Sequence, residues 1–419
     1  MSRIQILLKI IVVISLAFIC FRASFISVEK YSQLRNFKYG DSISDKMTLS
    51  SARYFFDHGF SETYFRPVHL YSNQRTTKDT DLNKIKTVVY THYGALPDVL
   101  TGAFAVLTGT TNESILRFLP ILFSILTMML FYQLLIQNSV SKNDAISVMS
   151  ILFISNWFLM WADALNKHVY EFFLLILSLN ICNYIVTRRK LNLGLVCAFL
   201  IGFFSIHVSY ELVAYMAVFY LSMILFNHLC SRFYVFLLMA LYLGFIIGFA
   251  SHIWLNYLVF NDLRVALEDI LRAMNVRGSV DISGRINALI FYFQRISIYF
   301  YFDWTLLLLS FYFLKKQLVN LRLKNIFYSI CIASTIWPLL MPQHVLVHEF
   351  TTRWLFLLVV FCSIYFIFPN LKKIYHDFNK LSQWGKLLLV GYFSFLTVLF
   401  VHHQSWMTFI RNLRVIFNA

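Results

Sequence analysis

Residues 39–60, YGDSISDKMTLSSARYFFDHGF, form a polar stretch in a chain that is otherwise mostly apolar. They lie in residues 22–114, which we call the first outer region because it follows the first apolar segment. A membrane protein has little structural need for acids at this place, so we interpret Asp45, with Asp41 as its alternative, as a catalytic carboxylate. The structural alternative is helix capping by Ser44 or Asp45, which requires no catalysis.

The same stretch predicts a short amphipathic helix over residues 47–57, preceded by Asp41 and Asp45. The two acids would then stand near the positive end of the helix dipole. The side chains expected to rest on a membrane surface are Met47, Leu49, Tyr54 and Phe55.

The composition indicates an all-α polytopic membrane protein. Apolar residues make up 59% of the chain, above the share of a soluble domain, and apolar runs long enough to cross a bilayer recur along its length. The net charge of +16 does not indicate nucleic-acid binding, because the basic residues stand mostly in short connections between apolar runs. Basic residues in such connections indicate which side of the membrane each connection lies on.

The positive-inside rule places these basic connections and the N-terminus in the cytoplasm and predicts about eleven spans in a single domain, residues 1–419. The predicted spans are 4–21, 115–137, 144–162, 169–187, 191–206, 210–229, 233–257, 299–314, 326–341, 353–369 and 386–402. Residues 95–109 are apolar but too short to cross, so we expect an interfacial helix there. Residues 258–298 form a second outer region.

Polar side chains that could bind a substrate recur at the outer side of this layout. In chain order they are His92, Tyr93, Lys167, His168, His207, Glu211, Arg272, Arg277, His344, His348 and Arg353. Ionisable residues at span ends are costly unless they face a cavity, which favours a site. The alternatives are structural turns, interfacial anchoring by Lys167 and contacts of the arginines with lipid head groups. Because HExxR at His348 lacks the second histidine of HExxH, no metal is predicted.

Four features follow one another in residues 1–190: an uncleaved first span, an outer acid ahead of AR…F…HG, a Y-x-x-L-P junction, and LTGTTNESILRFLPILFSIL entering the next span. This order resembles that of the GT-C glycosyltransferases. The nearer relatives use polyprenyl-phosphate sugars, as the protein O-mannosyltransferases and the lipid A aminoarabinose transferase do. The resemblance implies that the first acid is catalytic and that Asp163 contributes to the site. The chain departs from the family where Lys46 follows Asp45 in place of a glutamate, and where the junction lacks its Pro-Pro pair.

The resemblance implies a GT-C-like bundle in which residues 1–190 form the catalytic module and residues 191–419 supply the remaining spans. The implied reaction moves a sugar from a polyprenyl-phosphate donor to a hydroxyl on the outer face of a bacterial inner membrane. One carboxylate would take the acceptor proton, and cations would hold the leaving phosphate. The expected acceptor is an envelope glycan or lipid, such as an O-antigen repeat or lipid A, since the layout resembles the phage-type O-antigen glucosyltransferases. Membrane lipids are the other expected partner, and no cofactor is expected.

Two other functions stay open. A flippase or transporter of a lipid-linked sugar would show internal repeats and charges deep in the membrane, and the sequence has no such repeat. An O-antigen polymerase or ligase would carry its main outer region late in the chain, whereas the largest one here follows the first span. The sequence does not decide between inversion and retention of the anomeric configuration.

Overall fold

The computed structural model describes residues 3–25, 42–68, 89–91, 94–138, 140–142, 145–146, 149, 161–188, 191–226, 231–278, 280–299, 321–347, 354 and 382–383. Within these ranges the chain is mostly helical and contains no strand, only an isolated bridge between Val68 and Val89. The helices are α1 (Arg3–Phe25), α2 (Ser42–His58), α3 (Leu96–Thr108), α4 (Glu113–Leu116), α5 (Phe118–Gln137), α6 (His168–Arg188), α7 (Leu191–Val208), α8 (Tyr210–Phe226), α9 (Ser231–Phe260), α10 (Leu263–Gly278), α11 (Ile282–Tyr299), α12 (Leu321–Leu340) and α13 (Pro342–Val347).

Among the described residues, three stretches are long and apolar enough to cross a membrane: Glu113–Gln137, His168–Ile185 and Arg232–Phe260. Shorter apolar helices accompany them, among them α7, α8 and α12. These features indicate a helical membrane protein, in agreement with the predicted class. The described residues do not establish eleven spans. The predicted spans 144–162, 299–314, 353–369 and 386–402 lie largely or wholly outside the described residues.

Glycines allow α7 and α9 to pack backbone against backbone. A Cβ on Gly202 of α7 would stand 2.3 Å from the carbonyl oxygen of Leu241, and one on Gly244 of α9 would stand 2.1 Å from that of Phe199. Gly248 follows Gly244 at the four-residue spacing that lets apolar helices approach closely in a membrane. This contact brings the C-terminal ends of α7 and α9 side by side.

The first outer region forms a helical layer in which α2 packs on α3. Phe55 is fully buried, and a Cβ on Gly102 of α3 would stand 2.7 Å from its ring, so α3 offers a flat face to this side chain. Leu49 and Tyr54 are buried as well. The prediction that Leu49, Tyr54 and Phe55 rest on the membrane was therefore wrong, because all three pack inside buried clusters of the protein.

The helix bounds in this region also correct the sequence interpretation. The first helix begins at Ser42, so Asp45 lies inside its first turn instead of preceding it. A carboxylate is favourable there because the first turn carries unpaired N–H groups and the positive end of the dipole. The predicted interfacial helix 95–109 is present as α3, which has 13 residues.

The second outer region contains two helices that the sequence interpretation had left as a connection. After α9 ends at Phe260, Asn261 turns the chain with a φ of 52°, and Asp262 accepts hydrogen bonds from the backbone N–H groups of Arg264 and Val265 at 2.8 and 3.3 Å. Asp281 similarly accepts from the N–H of Gly284 at 2.8 Å, at the start of α11. Side-chain caps therefore begin both α10 and α11.

Candidate functional site

Asp45 reaches from α2 into the connection that precedes α6. Its side chain is 1% exposed. Its Oδ1 accepts hydrogen bonds from the backbone N–H and the side-chain Nδ2 of Asn166, at 3.2 and 3.0 Å. A buried carboxylate is costly without such donors, so this contact fixes the acid from the first outer region against the outer end of the bundle.

A second buried carboxylate, Asp98, stands in the first turn of α3. Burial is the largest influence on this side chain and raises its pKa to about 7, although hydrogen bonding with Thr48 and Ser51 on α2 acts in the opposite direction. Asp98 and Asp45 both interact electrostatically with the phenol of Tyr170 on α6. The α2–α3 layer thus brings two acids to the start of the same helix.

Arg66 is a functional candidate that the sequence interpretation missed. It is completely buried, and it donates through Nη1 to Nδ1 of His252 at 3.1 Å and through Nη2 to the carbonyl oxygen of the same residue. The Nε2 of His252 lies 3.0 Å from the carbonyl oxygen of Thr91, which can only accept. His252 is therefore the neutral tautomer with its proton on Nε2.

No carboxylate forms an ion pair with Arg66 in the part of the chain that the structure describes, and its Nε has no hydrogen-bond partner there. Burial lowers the pKa of Arg66 to about 10, so the side chain remains a cation at neutral pH. Two consecutive non-glycine residues with positive φ, Tyr64 at 51° and Phe65 at 60°, precede it. Such backbone strain clusters at functional sites.

Close packing holds this part of the first outer region against α7. A Cβ on Gly94 would stand 2.1 Å from the backbone carbonyl group of His207, so only glycine fits at this contact. His207 itself lies next to α9, with its Nε2 2.8 Å from the hydroxyl of Ser251. The histidine predicted to bind substrate therefore stands beside His252, with ring centroids 6.3 Å apart.

Glu211 joins three separate parts of the chain. Its Oε1 lies 2.6 Å from Nζ of Lys167, just before α6, and 2.5 Å from Nε2 of His344 on α13. The side chains of Glu211 and His344 are buried, and Lys167 is 15% exposed. The sequence interpretation selected these three residues independently, and the structure brings them together.

The other predicted residues of this connection have structural contacts. Asp163 lies 3.6 Å from Arg117, whose guanidinium is 3.1 Å from Glu113. His168 packs against Trp161 with ring centroids 4.2 Å apart and ring planes tilted by 58°, and its Nδ1 lies 3.8 Å from the carboxylate of Glu171. These contacts tie the connection to α4 and α6.

The remaining predicted residues do not join these clusters in the described structure. Arg272 is exposed on α10, and the side chain of Arg277 on the same helix lies outside the description. Five other predicted residues also lie outside the described residues: Asp41, His92, Tyr93, His348 and Arg353. Among the described residues, no group of three histidine, cysteine or acidic side chains could hold a metal ion.

Chemically, this end of the bundle offers two carboxylates, a cation whose partners among the described residues are neutral, and a buried ion-paired cluster. Comparison of the chain with protein-family models and with curated proteins finds no match.

Proposed function

We propose that the chain is a membrane glycosyltransferase that takes a sugar from a polyprenyl-phosphate donor. The observation that carries the proposal is the combination of a buried acid, Asp45, with a buried cation, Arg66, whose described partners are all neutral. Burying an uncompensated cation is expensive. Binding of an anionic substrate, such as the donor phosphate, compensates this charge and so explains why a cation is buried here.

Arg66 is the proposed phosphate ligand. Its Nη atoms are engaged by His252, and its Nε, which has no hydrogen-bond partner among the described residues, supplies a further donor. A guanidinium holds phosphate oxygens with a fixed set of donors, and the neutral His252 keeps that group oriented without cancelling its charge.

In the proposed reaction, the acceptor hydroxyl loses its proton to Asp45 while its oxygen forms a bond to C1 of the sugar. The bond between C1 and the phosphate oxygen breaks, and the electron pair leaves with the phosphate. Arg66 stabilises the charge that develops on this leaving group. Asn166 holds the carboxylate of Asp45 in place throughout. Asp98 and the cluster around Glu211 shape the surroundings.

The proposed acceptor is an envelope glycan or lipid, of the O-antigen or lipid A type, on the outer face of the inner membrane. The predicted orientation, with the N-terminus in the cytoplasm, puts the ends of the helices that carry these residues on that face. The acceptor class derives from the sequence resemblance.

The test is transfer of radiolabelled sugar from prenyl-phosphate donors in membranes that carry the wild type, Asp45→Asn or Asp57→Asn at matched expression. Asp57 is the control because it lies exposed on the same helix. We expect a loss of at least about 100-fold for Asp45→Asn, the usual effect of removing a general base, and unchanged transfer for Asp57→Asn.

Equal transfer by Asp45→Asn and the wild type would refute the proposed base. If the wild type transfers no sugar from any donor tried but moves the donor between leaflets of a vesicle, the lipid-linked sugar transporter becomes the better interpretation.

A further inference from the structure

Helix α10 carries an exposed apolar stripe. Leu263, Leu267 and Leu271 are 53%, 36% and 54% exposed, and their spacing of four residues puts them along one side of the helix. The neighbouring side is buried, with Ala266 and Ile270 almost completely covered. The helix is thus anchored to the protein along one side and leaves the adjacent apolar side uncovered by the described residues.

Charged residues occupy the third side of α10. Arg264 and Glu268 form an exposed ion pair at 2.7 Å, and Arg272 is exposed one turn further on. Around the helix, the order is therefore a buried side, an exposed leucine side and a charged side. A helix that lies in the plane of a membrane surface has this arrangement.

Helix α11 repeats the pattern. Ile282, Ile286 and Ile290 are 78%, 53% and 47% exposed at the same four-residue spacing. The opposite side is buried at Ala288 and Tyr292. Arg285 fixes the helix to the outer end of α12 by donating to the carbonyl oxygen of Leu339 at 2.5 Å. Two consecutive helices therefore present aliphatic stripes from a fixed position.

The position of α10 determines which partner can reach these stripes. The helix begins at Leu263, directly after α9 ends at Phe260, and α9 is one of the candidate spans. The surface of α9 is itself apolar and exposed, for example at Ile247 and Trp254. An apolar surface that continues from a span into the adjoining helix meets the same solvent, which is the lipid bilayer.

We propose that α10 and α11 are membrane-docking helices, with the stripes Leu263–Leu267–Leu271 and Ile282–Ile286–Ile290 inserted at the boundary between head groups and acyl chains. The charged side of α10 then faces the head groups and water, where Arg272 meets lipid phosphates. This inference depends on the chain crossing a membrane and does not depend on the transferase reaction.

The test places an environment-sensitive fluorescent amino acid in the full-length protein at Leu267 or Ile286. Matched controls carry the same amino acid at Glu268 or Asn287, which are exposed on the polar sides of the two helices. The proteins are reconstituted in phosphatidylethanolamine–phosphatidylglycerol vesicles with or without lipids brominated near the carbonyl end of the acyl chain. We expect quenching by the brominated lipids to be at least about threefold stronger at the stripe positions, because an interfacial helix inserts its apolar side about 5–10 Å below the head groups.

Equal and weak quenching at stripe and control positions would overturn the proposal. Blue-shifted emission at the stripes without quenching by brominated lipids would also overturn it, because protein would then cover them. Concentration-dependent cross-linking between molecules would identify that protein as a second copy of the chain.

Discussion

The first and second outer regions use the same kinds of residue in opposite ways. In the first, Asp45 is 1% exposed and Arg66 is completely buried. In the second, the side chains of Glu268 and Arg264 are 60% and 84% exposed and pair with each other. Exposed charges remain solvated and contribute little to stability, whereas buried charges are expensive. The comparison therefore favours the first region as the place of the proposed chemistry and the second as a surface element.

The apolar side chains of the two outer regions also differ in burial. Leu49 and Phe55 of α2 are buried against protein, and a glycine of α3 makes room for the ring. Leu267 and Ile286 of the second region remain exposed although their helices are equally regular. Amphipathic helices in outer regions can thus either form a protein layer that holds a site or lie on a lipid surface, and burial distinguishes the two.

The largest effect is expected from breaking the buried ion cluster. Glu211→Gln leaves Lys167 and His344 without their shared carboxylate, so we expect the free energy of unfolding to fall by about 3–5 kcal/mol. The matched change Glu268→Gln should cost less than about 1 kcal/mol, because it breaks only an exposed pair. Chemical denaturation of both variants in the same detergent measures the difference. Similar losses for the two variants would contradict the contrast between the regions.

The second prediction concerns pH and the buried Asp98. Its pKa of about 7, against 3.8 for an ordinary aspartate, means that between these pH values the folded protein keeps a proton that the unfolded chain releases. The stability contribution of this group is therefore largest at low pH and is lost as pH rises through the window towards 7. Asp98→Asn removes the titration. We expect the wild type to lose about 2–3 kcal/mol more than the variant between pH 5 and pH 8.

Unfolding curves of the wild type and Asp98→Asn at a series of pH values test this prediction. Asp57→Asn provides the control, since this acid is exposed on α2 and should leave the pH dependence of the wild type unchanged. Parallel pH profiles for wild type and Asp98→Asn would mean that Asp98 is ionised in the folded protein at pH 5 to 8, and that the burial argument fails for this carboxylate.

The apolar helices could be predicted closely from the sequence because their signal is local. The predicted span 169–187 differs from α6, His168–Arg188, by one residue at each end, and the predicted helix 95–109 differs from α3 equally little. Long apolar runs and their glycine or proline ends determine these bounds without reference to the rest of the fold. The predicted spans 191–206 and 210–229 correspond to α7 and α8, which a single residue, Ser209, separates.

The partners of the site residues could not be predicted in this way. Arg66 stands between Phe65 and Pro67 without any periodic pattern, and its contact with His252 joins residues 186 positions apart. Asp98 becomes unusual only because α2 buries it. The lone arginine after an aromatic pair and before a proline was visible in the sequence, and it could have been selected as a charge that an outer turn does not need. The burial that gives it significance is a tertiary property.

The third prediction tests the proposed phosphate ligand. Arg66→Lys keeps the positive charge but removes the planar set of donors, so we expect kcat/KM for the donor to fall by about 10–100-fold, the equivalent of about 1.5–3 kcal/mol for hydrogen bonds to a charged group. Arg53→Lys is the matched control, because Arg53 is exposed on α2 and should change transfer by less than about twofold. If Arg66→Lys retains full activity, the cation is structural and the donor phosphate binds elsewhere.

The smallest effect belongs to the exposed charges of the second outer region. Arg272→Gln should weaken the preference of α10 for anionic over neutral lipid by about 1 kcal/mol, or roughly fivefold, because each arginine near the membrane surface contributes about that much at low salt. Glu268→Gln removes a negative charge from the same side of α10 and should change the preference in the opposite direction.

The measurement is the emission of a fluorescent amino acid at Leu267 in vesicles of increasing phosphatidylglycerol content, at low and high ionic strength. Because exposed charges are screened by salt within about 8–10 Å, the difference between the variants should vanish at high ionic strength. A difference that persists in high salt would mean that Arg272 makes a buried contact, and the two outer regions would then differ less than their burial indicates.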